Sequence, residues 1–153
     1  MKLSTKGRYG VKAMVDLALN YGNEPISIKS IAERQGISEY YLEQLFAPLR
    51  KAGIINSIRG AQGGYILSRS PKEITVAEII QVLEGPIEIS DCIEGVQCSN
   101  EDYCATRLLW EKIKKSIDSV LETTTLNDIV EDYNKMQKGR NNQPLTLQEN
   151  AKW

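Results

Sequence analysis

Apolar positions recur along this chain at two periods, and the change from one to the other divides it. Val11, Met14, Leu17, Ala18 and Tyr21 fall at helical spacing, which predicts a helix from a cap at Ser4 or Thr5 to about Tyr21, ended by Gly22, Asn23 and Pro25. A second helix follows a cap at Ser27, with Ile28, Ile31 and Ala32 on one face and Gly36 where the chain leaves through a left-handed turn. Ser38 caps a third, on which Leu42, Leu45, Phe46 and Leu49 share a face while Tyr40, Glu43, Gln44, Arg50 and Lys51 point elsewhere. Pro48 inside this helix predicts a kink, or a restart, near Gln44. Two short helices crossing at a glycine turn form the pattern of a helix-turn-helix, and the same pattern suits an ordinary helical hairpin in a core.

The period then becomes that of strands. Ile54, Ile55 and Ile58, and after them Tyr65, Ile66 and Leu67, are β-prone, and Gly60, Gly63 and Gly64 supply the freedom of a hairpin tip. A hairpin directly after a recognition helix is a wing, and Arg59 at its tip suits a narrow minor groove. A nucleotide-cradling loop is disfavoured, because no strand leads through these glycines into a helix and no Lys-Ser/Thr pair follows them. Thr75 and Glu78 read as a capping box for a helix over Ile74 to Leu83, with Val76, Ile79, Ile80 and Leu83 inward and Gly85 and Pro86 as the stop.

From Ile87 to Asp102 helical periodicity is lost, a loop long enough to suspect a function. Tyr103 to Leu121 then reads as a long helix, with Leu109, Ile113, Ile117, Val120 and Leu121 along one side and Leu108 and Trp110 broadening it. Such a face suits the seam of a homodimer; packing on its own domain is the alternative. Thr125 caps a last helix that includes Leu126, Ile129, Val130 and Tyr133, and the polar stretch beyond Lys138 has no period. The expected architecture is mainly α. It comprises a winged helix-turn-helix domain with a two-stranded β wing (1–84), a cysteine-containing sensor loop (85–104), a dimerisation helix and last helix (103–137) and a flexible tail (138–153).

Composition refines this picture in three places. A chain of 153 residues with 41% apolar content suffices for one main core. No apolar run approaches the roughly 20 residues of a membrane span, and MKLSTKGRYG lacks the apolar core of a secretory signal, so a cytoplasmic protein is expected. The net charge of -1 conceals a division: residues 1–72 carry 11 Lys and Arg against 5 Asp and Glu, and residues 73–153 carry 8 against 15. A basic first half facing a polyanion fits that division. Lys2, Lys6, Arg8 and Lys12 crowd the start of the first helix, where they read as a phosphate clamp or as a solvated basic terminus.

The chain has three cysteines and no histidine. Cys92, Cys98 and Cys104 follow a C-x5-C-x5-C spacing, an odd count that argues against a closed disulfide set and for metal ligands or free thiols. The steps are wider than those of structural zinc, and an iron-sulfur cluster usually takes four protein ligands. Asp91, Glu94, Glu101, Asp102, a group from a second subunit or a small external ligand remain for the fourth position. Thiol redox catalysis lacks its Cys-x-x-Cys pair and general-base catalysis its histidine, so no enzyme is expected. A protein-interaction module built on the same fold is a further alternative.

Five segments together resemble the IscR/CymR-type family of bacterial winged-helix regulators: STKGRYG from Ser4, SEYYLEQL from Ser38, SIRGAQGGY from Ser57, VLEG from Val82 and TTTL from Thr123. The likeness spans roughly residues 1–135. It implies a homodimeric transcription regulator, expected to act as a repressor, that reads double-stranded operator DNA with its recognition helix and wing. In the iron-sulfur branch of the family, three cysteines at this spacing bind a 2Fe-2S cluster and match Cys92, Cys98 and Cys104. Glu43 matches that branch's base-reading acidic residue and Arg59 its wing arginine. A carboxylate there can accept from cytosine N4 while repelling phosphate, which suits discrimination between sites. The branch's cluster histidine falls at Arg107, and arginine is no cluster ligand, which leaves the fourth ligand unassigned. SEYYLEQL, GAQGGY, VLEGPI and TTTL resemble instead the cysteine-metabolism branch, which works with cysteine synthase. DNA contacts are expected from Lys2, Lys6, Arg8, Ser38, Tyr40, Glu43, Gln44, Arg50 and Arg59.

Overall fold

The structure is a computed structural model that describes residues 2–141. Its first helix, α1 (Thr5–Leu19), is capped by Ser4, whose hydroxyl accepts from the Gly7 amide. The expected extension to Tyr21 is not observed. Asn20 ends the helix with its main-chain amide directed to the Leu17 and Ala18 carbonyls, Gly22 turns at φ 86°, and Tyr21 is left half-exposed outside the core.

Helix α2 (Ile28–Gln35) starts at Ser27 and ends at Gly36, which takes the left-handed conformation (φ 66°, ψ 34°) that lets α3 cross beneath it. Helix α3 (Glu39–Lys51) starts at Ser38 and runs through Pro48 as one segment, so the expected restart near Gln44 does not occur. Pro48 removes only the bond to the Gln44 carbonyl, and Gln44 sits on the solvent side where water can replace it. On the other side Leu42, Leu45, Phe46 and Leu49 are fully buried and hold the helix in place.

Strands β1 (Ile55–Ile58) and β2 (Gly64–Leu67) pair antiparallel, with Ile55 opposite Leu67 and Ile58 opposite Gly64. Ile26, from the α1–α2 connection, exchanges main-chain hydrogen bonds with Tyr65 at 2.8 and 3.1 Å and so adds a third contact to this ribbon. A Cβ on Gly64 would stand 2.2 Å from the Ile26 carbonyl oxygen, so only glycine permits that approach.

Helix α4 (Val76–Glu84) begins with the reciprocal Thr75–Glu78 capping box. It packs on α1 and α3, with Ile79, Ile80 and Leu83 buried. Between Gly85 and Cys104 only two short 3-10 turns form, Asp91–Ile93 and Glu101–Tyr103. Helix α5 (Ala105–Thr123) starts two residues later than the spacing predicted, because Tyr103 belongs to the second of these turns.

Helix α6 (Leu126–Asn141) returns to the first domain. Leu126 donates to Ile74 and Val76 donates to Thr124, each at 2.9 Å, and the Leu126 side chain is fully buried. The first four residues of the expected tail, Lys138 to Asn141, are therefore helical; residues 142–153 lie outside the described residues. Among the described residues the hydrophobic core draws on α1, α2, α3, the wing and α4, with Leu126, and takes nothing from residues 85–123.

Candidate DNA-reading surface and cysteine segment

The residues opposite the buried face of α3 form an exposed row. Ser38, Tyr40, Glu43, Gln44 and Arg50 are all solvent-facing, and Tyr40 is 70% exposed in spite of its ring. Two aromatic contacts fix this helix against its neighbours. Tyr9 of α1 meets Tyr41 edge-on at 6.2 Å between ring centroids, and Phe46 meets Tyr65 of the wing at 4.8 Å. Arg59 is exposed in the turn between β1 and β2, as expected for a wing tip. The reading helix and the wing are thus held to one framework by packing rather than by surface charge.

Two polar anchors of this framework lie outside the sequence-based expectation. Asp16 is buried in α1, accepts both Nε (2.9 Å) and Nη2 (2.7 Å) of Arg34 and receives the Gln35 amide at 3.3 Å. The Asp16 carboxylate raises the Arg34 pKa further, chiefly through this hydrogen bond. The pair ties the helix before the reading helix to α1. Glu84, at the end of α4, accepts from the main-chain amides of Ser4 and Gly7 at 3.0 Å each and from the Ser4 hydroxyl.

That second anchor modifies the phosphate-clamp reading of the first helix. Lys2, Lys6 and Arg8 are exposed, but two of the amides at the start of α1, those of Ser4 and Gly7, already serve an internal carboxylate. A phosphate there would meet chiefly the basic side chains.

The cysteine segment is built differently. Cys92 and Cys104 are half-buried, Cys98 is exposed, and all three are free thiols. Among the described residues no three thiol, carboxylate or imidazole groups are gathered as a metal site, so the three cysteines share a segment without converging. Their chemistry suits thiolate ligation. Cys104 in particular is shifted below the ordinary thiol pKa, first by its hydrogen bond with the Thr106 hydroxyl and then by the Arg107 amide. Of the candidate fourth ligands, Glu101 is ion-paired with Arg107, and Glu94 accepts from the Ile89 amide at 3.4 Å. Cys92, Cys98 and Cys104 are donors of the type that an iron-sulfur cluster takes, one short of the usual four.

Helix α5 has the apolar side that its spacing predicted, yet none of its residues is buried. Leu108, Leu109 and Val120 are 60%, 49% and 62% exposed. No helix among the described residues is long and apolar enough to cross a membrane.

A helix-turn-helix with an exposed reading face, a wing braced against it and a long helix beyond the domain define a winged-helix DNA-binding regulator. The chain belongs to the Rrf2 family of iron-dependent transcriptional regulators, whose model matches residues 3–132. It is 49% identical over 129 residues to the transcriptional regulator CymR of Bacillus subtilis, covering 84% of this chain and 89% of that protein. The solved structure of CymR, the global cysteine regulator of B. subtilis, superposes with a TM-score of 0.76 at 47% identity, over 86% of this chain and 97% of that one. IscR of T. potens superposes with a TM-score of 0.74 at 53% identity, over 90% and 91% of the two chains. The protein is a DNA-binding transcriptional regulator and not an enzyme, as its relatives are.

Proposed function

We propose that this regulator represses transcription as a homodimer on operator DNA and senses iron-sulfur cluster or redox status through Cys92, Cys98 and Cys104. The observation that carries the sensing reading is the contrast in anchorage: three free thiols, one exposed and two half-buried, occupy a long segment that among the described residues contributes nothing to the core. Cys92, Cys98 and Cys104 would hold a 2Fe-2S cluster through thiolate–iron bonds, and the cluster would supply the redox- and iron-dependent chemistry. The chain's own residues supply the connection to DNA. The segment begins immediately after Glu84, which holds the start of α1, and ends at α5, whose exposed Leu108, Leu109 and Val120 suit a second copy. Two copies would present two reading helices to a two-fold operator.

On the DNA, Glu43 discriminates bases, Ser38, Tyr40 and Gln44 line the same row, and Arg59 enters the minor groove. Lys2, Lys6, Arg8 and Arg50 neutralise phosphates, so affinity should fall steeply as salt rises. The test is anaerobic purification followed by iron and sulfide analysis and DNA binding. A coloured, iron-containing protein whose affinity changes on Cys→Ala substitution supports the reading; a colourless, iron-free protein indifferent to those changes overturns the sensing part.

The likeness to CymR favours a second reading, regulation of cysteine metabolism through a protein partner such as cysteine synthase. Titrating cysteine synthase into a DNA-shift assay separates the two, because only the second predicts a change in DNA binding by iron-free protein.

A further inference from the structure

Arg107 occupies the first turn of α5, three residues after Cys104, and its side chain lies largely against the protein between two carboxylates. It forms two ion pairs that run in different directions. One is with Glu101, in the 3-10 turn before the helix, and the other is with Glu111, one turn further along α5, with Nε 3.2 Å from Oε1. The planar fork of arginine can serve both carboxylates at once, which a point charge does less well.

The main chain connects this clamp to the thiols. The Glu101 amide donates to the Cys98 carbonyl and the Arg107 amide donates to the Cys104 carbonyl, each at 3.2 Å. One ion pair therefore joins the two residues whose amides hold the backbone at Cys98 and at Cys104. Arg107 and Cys104 also line the same open hollow, with Glu101, Asp102, Tyr103 and Glu111. Cys92 lies apart from this clamp, in the 3-10 turn Asp91–Ile93, and its thiol is 3.2 Å from the Ser90 hydroxyl.

We infer that Arg107 is a positioning residue that fixes Cys98 relative to Cys104 by clamping Glu101 to α5, and that the Glu101 carboxylate is committed to this pair rather than to a metal. The inference rests on the cluster reading for its consequence, though not for the clamp itself. It has two parts that separate experimentally. In the iron-free full chain, Arg107→Ala and Glu101→Gln should each speed amide hydrogen exchange across residues 101–107 by about two- to fivefold, the range for a partly exposed ion pair. Exchange in α3 should not change. Arg107→Lys should restore part of the protection, and the double variant should be no faster than Arg107→Ala alone, which already removes the pair with Glu101. Unchanged exchange in both single variants overturns the clamp whether or not the protein binds iron.

The second part uses protein reconstituted anaerobically with iron and sulfide, with the visible spectrum and the rate of iron loss to a chelator as readouts. Arg107→Ala and Glu101→Gln should both retain a cluster and lose iron about two- to fivefold faster than the parent, again with rescue by Arg107→Lys. A Glu101→Gln protein that takes up no cluster, beside an Arg107→Ala protein that keeps one, would make Glu101 a ligand and overturn the assignment. A parent protein that binds no iron at all would instead remove the cluster reading, and the exchange experiment would still decide the clamp.

Discussion

The winged domain and the segment that follows it are held by different physics. Up to Glu84 the chain buries a continuous core in which Phe46, Met14, Ile31, Leu42, Leu45 and Leu49 are fully enclosed, and its two main polar anchors, at Asp16 and Glu84, are complete. From Gly85 to Thr123 the described structure contains no buried side chain, although α5 carries an apolar stripe. The first region is finished within one chain. The second leaves an apolar stripe uncovered and three thiols free, which the proposed reading completes with a second copy along α5 and a ligand at the thiols. A regulator gains from this division, because its reading surface stays rigid while the low-stability part responds.

The comparison breaks most visibly under core truncation. Phe46→Ala removes a fully buried ring that touches Tyr65 of the wing, and should cost about 3–5 kcal/mol in urea unfolding. Leu109→Ala in α5, at a half-exposed position, should leave the urea unfolding of the winged domain within the full chain nearly unchanged and weaken self-association, measured by sedimentation. Equal destabilisation of that domain by both would mean that α5 belongs to the same core.

A smaller effect tests whether the wing is rigidly attached. Gly64→Ala forces a Cβ against the Ile26 carbonyl, so the wing must shift. The expected cost is about 1–3 kcal/mol in stability, with DNA affinity lowered at least about tenfold if Arg59 is displaced. Native DNA affinity in a folded Gly64→Ala protein would detach Arg59 from recognition.

Much of the first region could be read locally. Ser4, Ser27, Ser38 and Thr75 each cap the helix their position announced, and the steps of three and four select the residues that α2, α3 and α4 bury. What escaped are contacts between distant positions: Asp16 with Arg34, Ile26 with Tyr65, and Glu84 with Ser4, which is 80 residues away. No spacing rule encodes such pairs, since each depends on how whole helices dock. Tyr21 failed for a related reason, because the helical period continues past the point where Asn20 and Gly22 turn the chain. In the cysteine segment the spacing marks the thiols but not their convergence, which local structure alone does not produce. The role of Arg107 became visible only through its two carboxylate partners.

The smallest expected effect is electrostatic. Glu78 is pushed upward by partial burial, but the hydrogen bond from Arg69 and the Thr75 amide outweigh this and leave its pKa below the ordinary value. A carboxylate depressed in the folded state stabilises above its unfolded pKa, and the contribution is lost as pH falls through the folded value. The stability gap between the parent and Glu78→Gln should therefore be open at neutral pH and close below about pH 4. A gap that widened on acidification would contradict this assignment.

The most direct test of the account compares operator affinity, at one fixed salt concentration, for anaerobic iron-loaded protein, the same protein after chelation, and a variant with Cys92, Cys98 and Cys104 all changed to Ala. The account predicts that loading changes the affinity or the preferred operator of the parent by at least about tenfold, a coupling of about 1.4 kcal/mol, and leaves the variant unaffected. Identical binding by all three would contradict it.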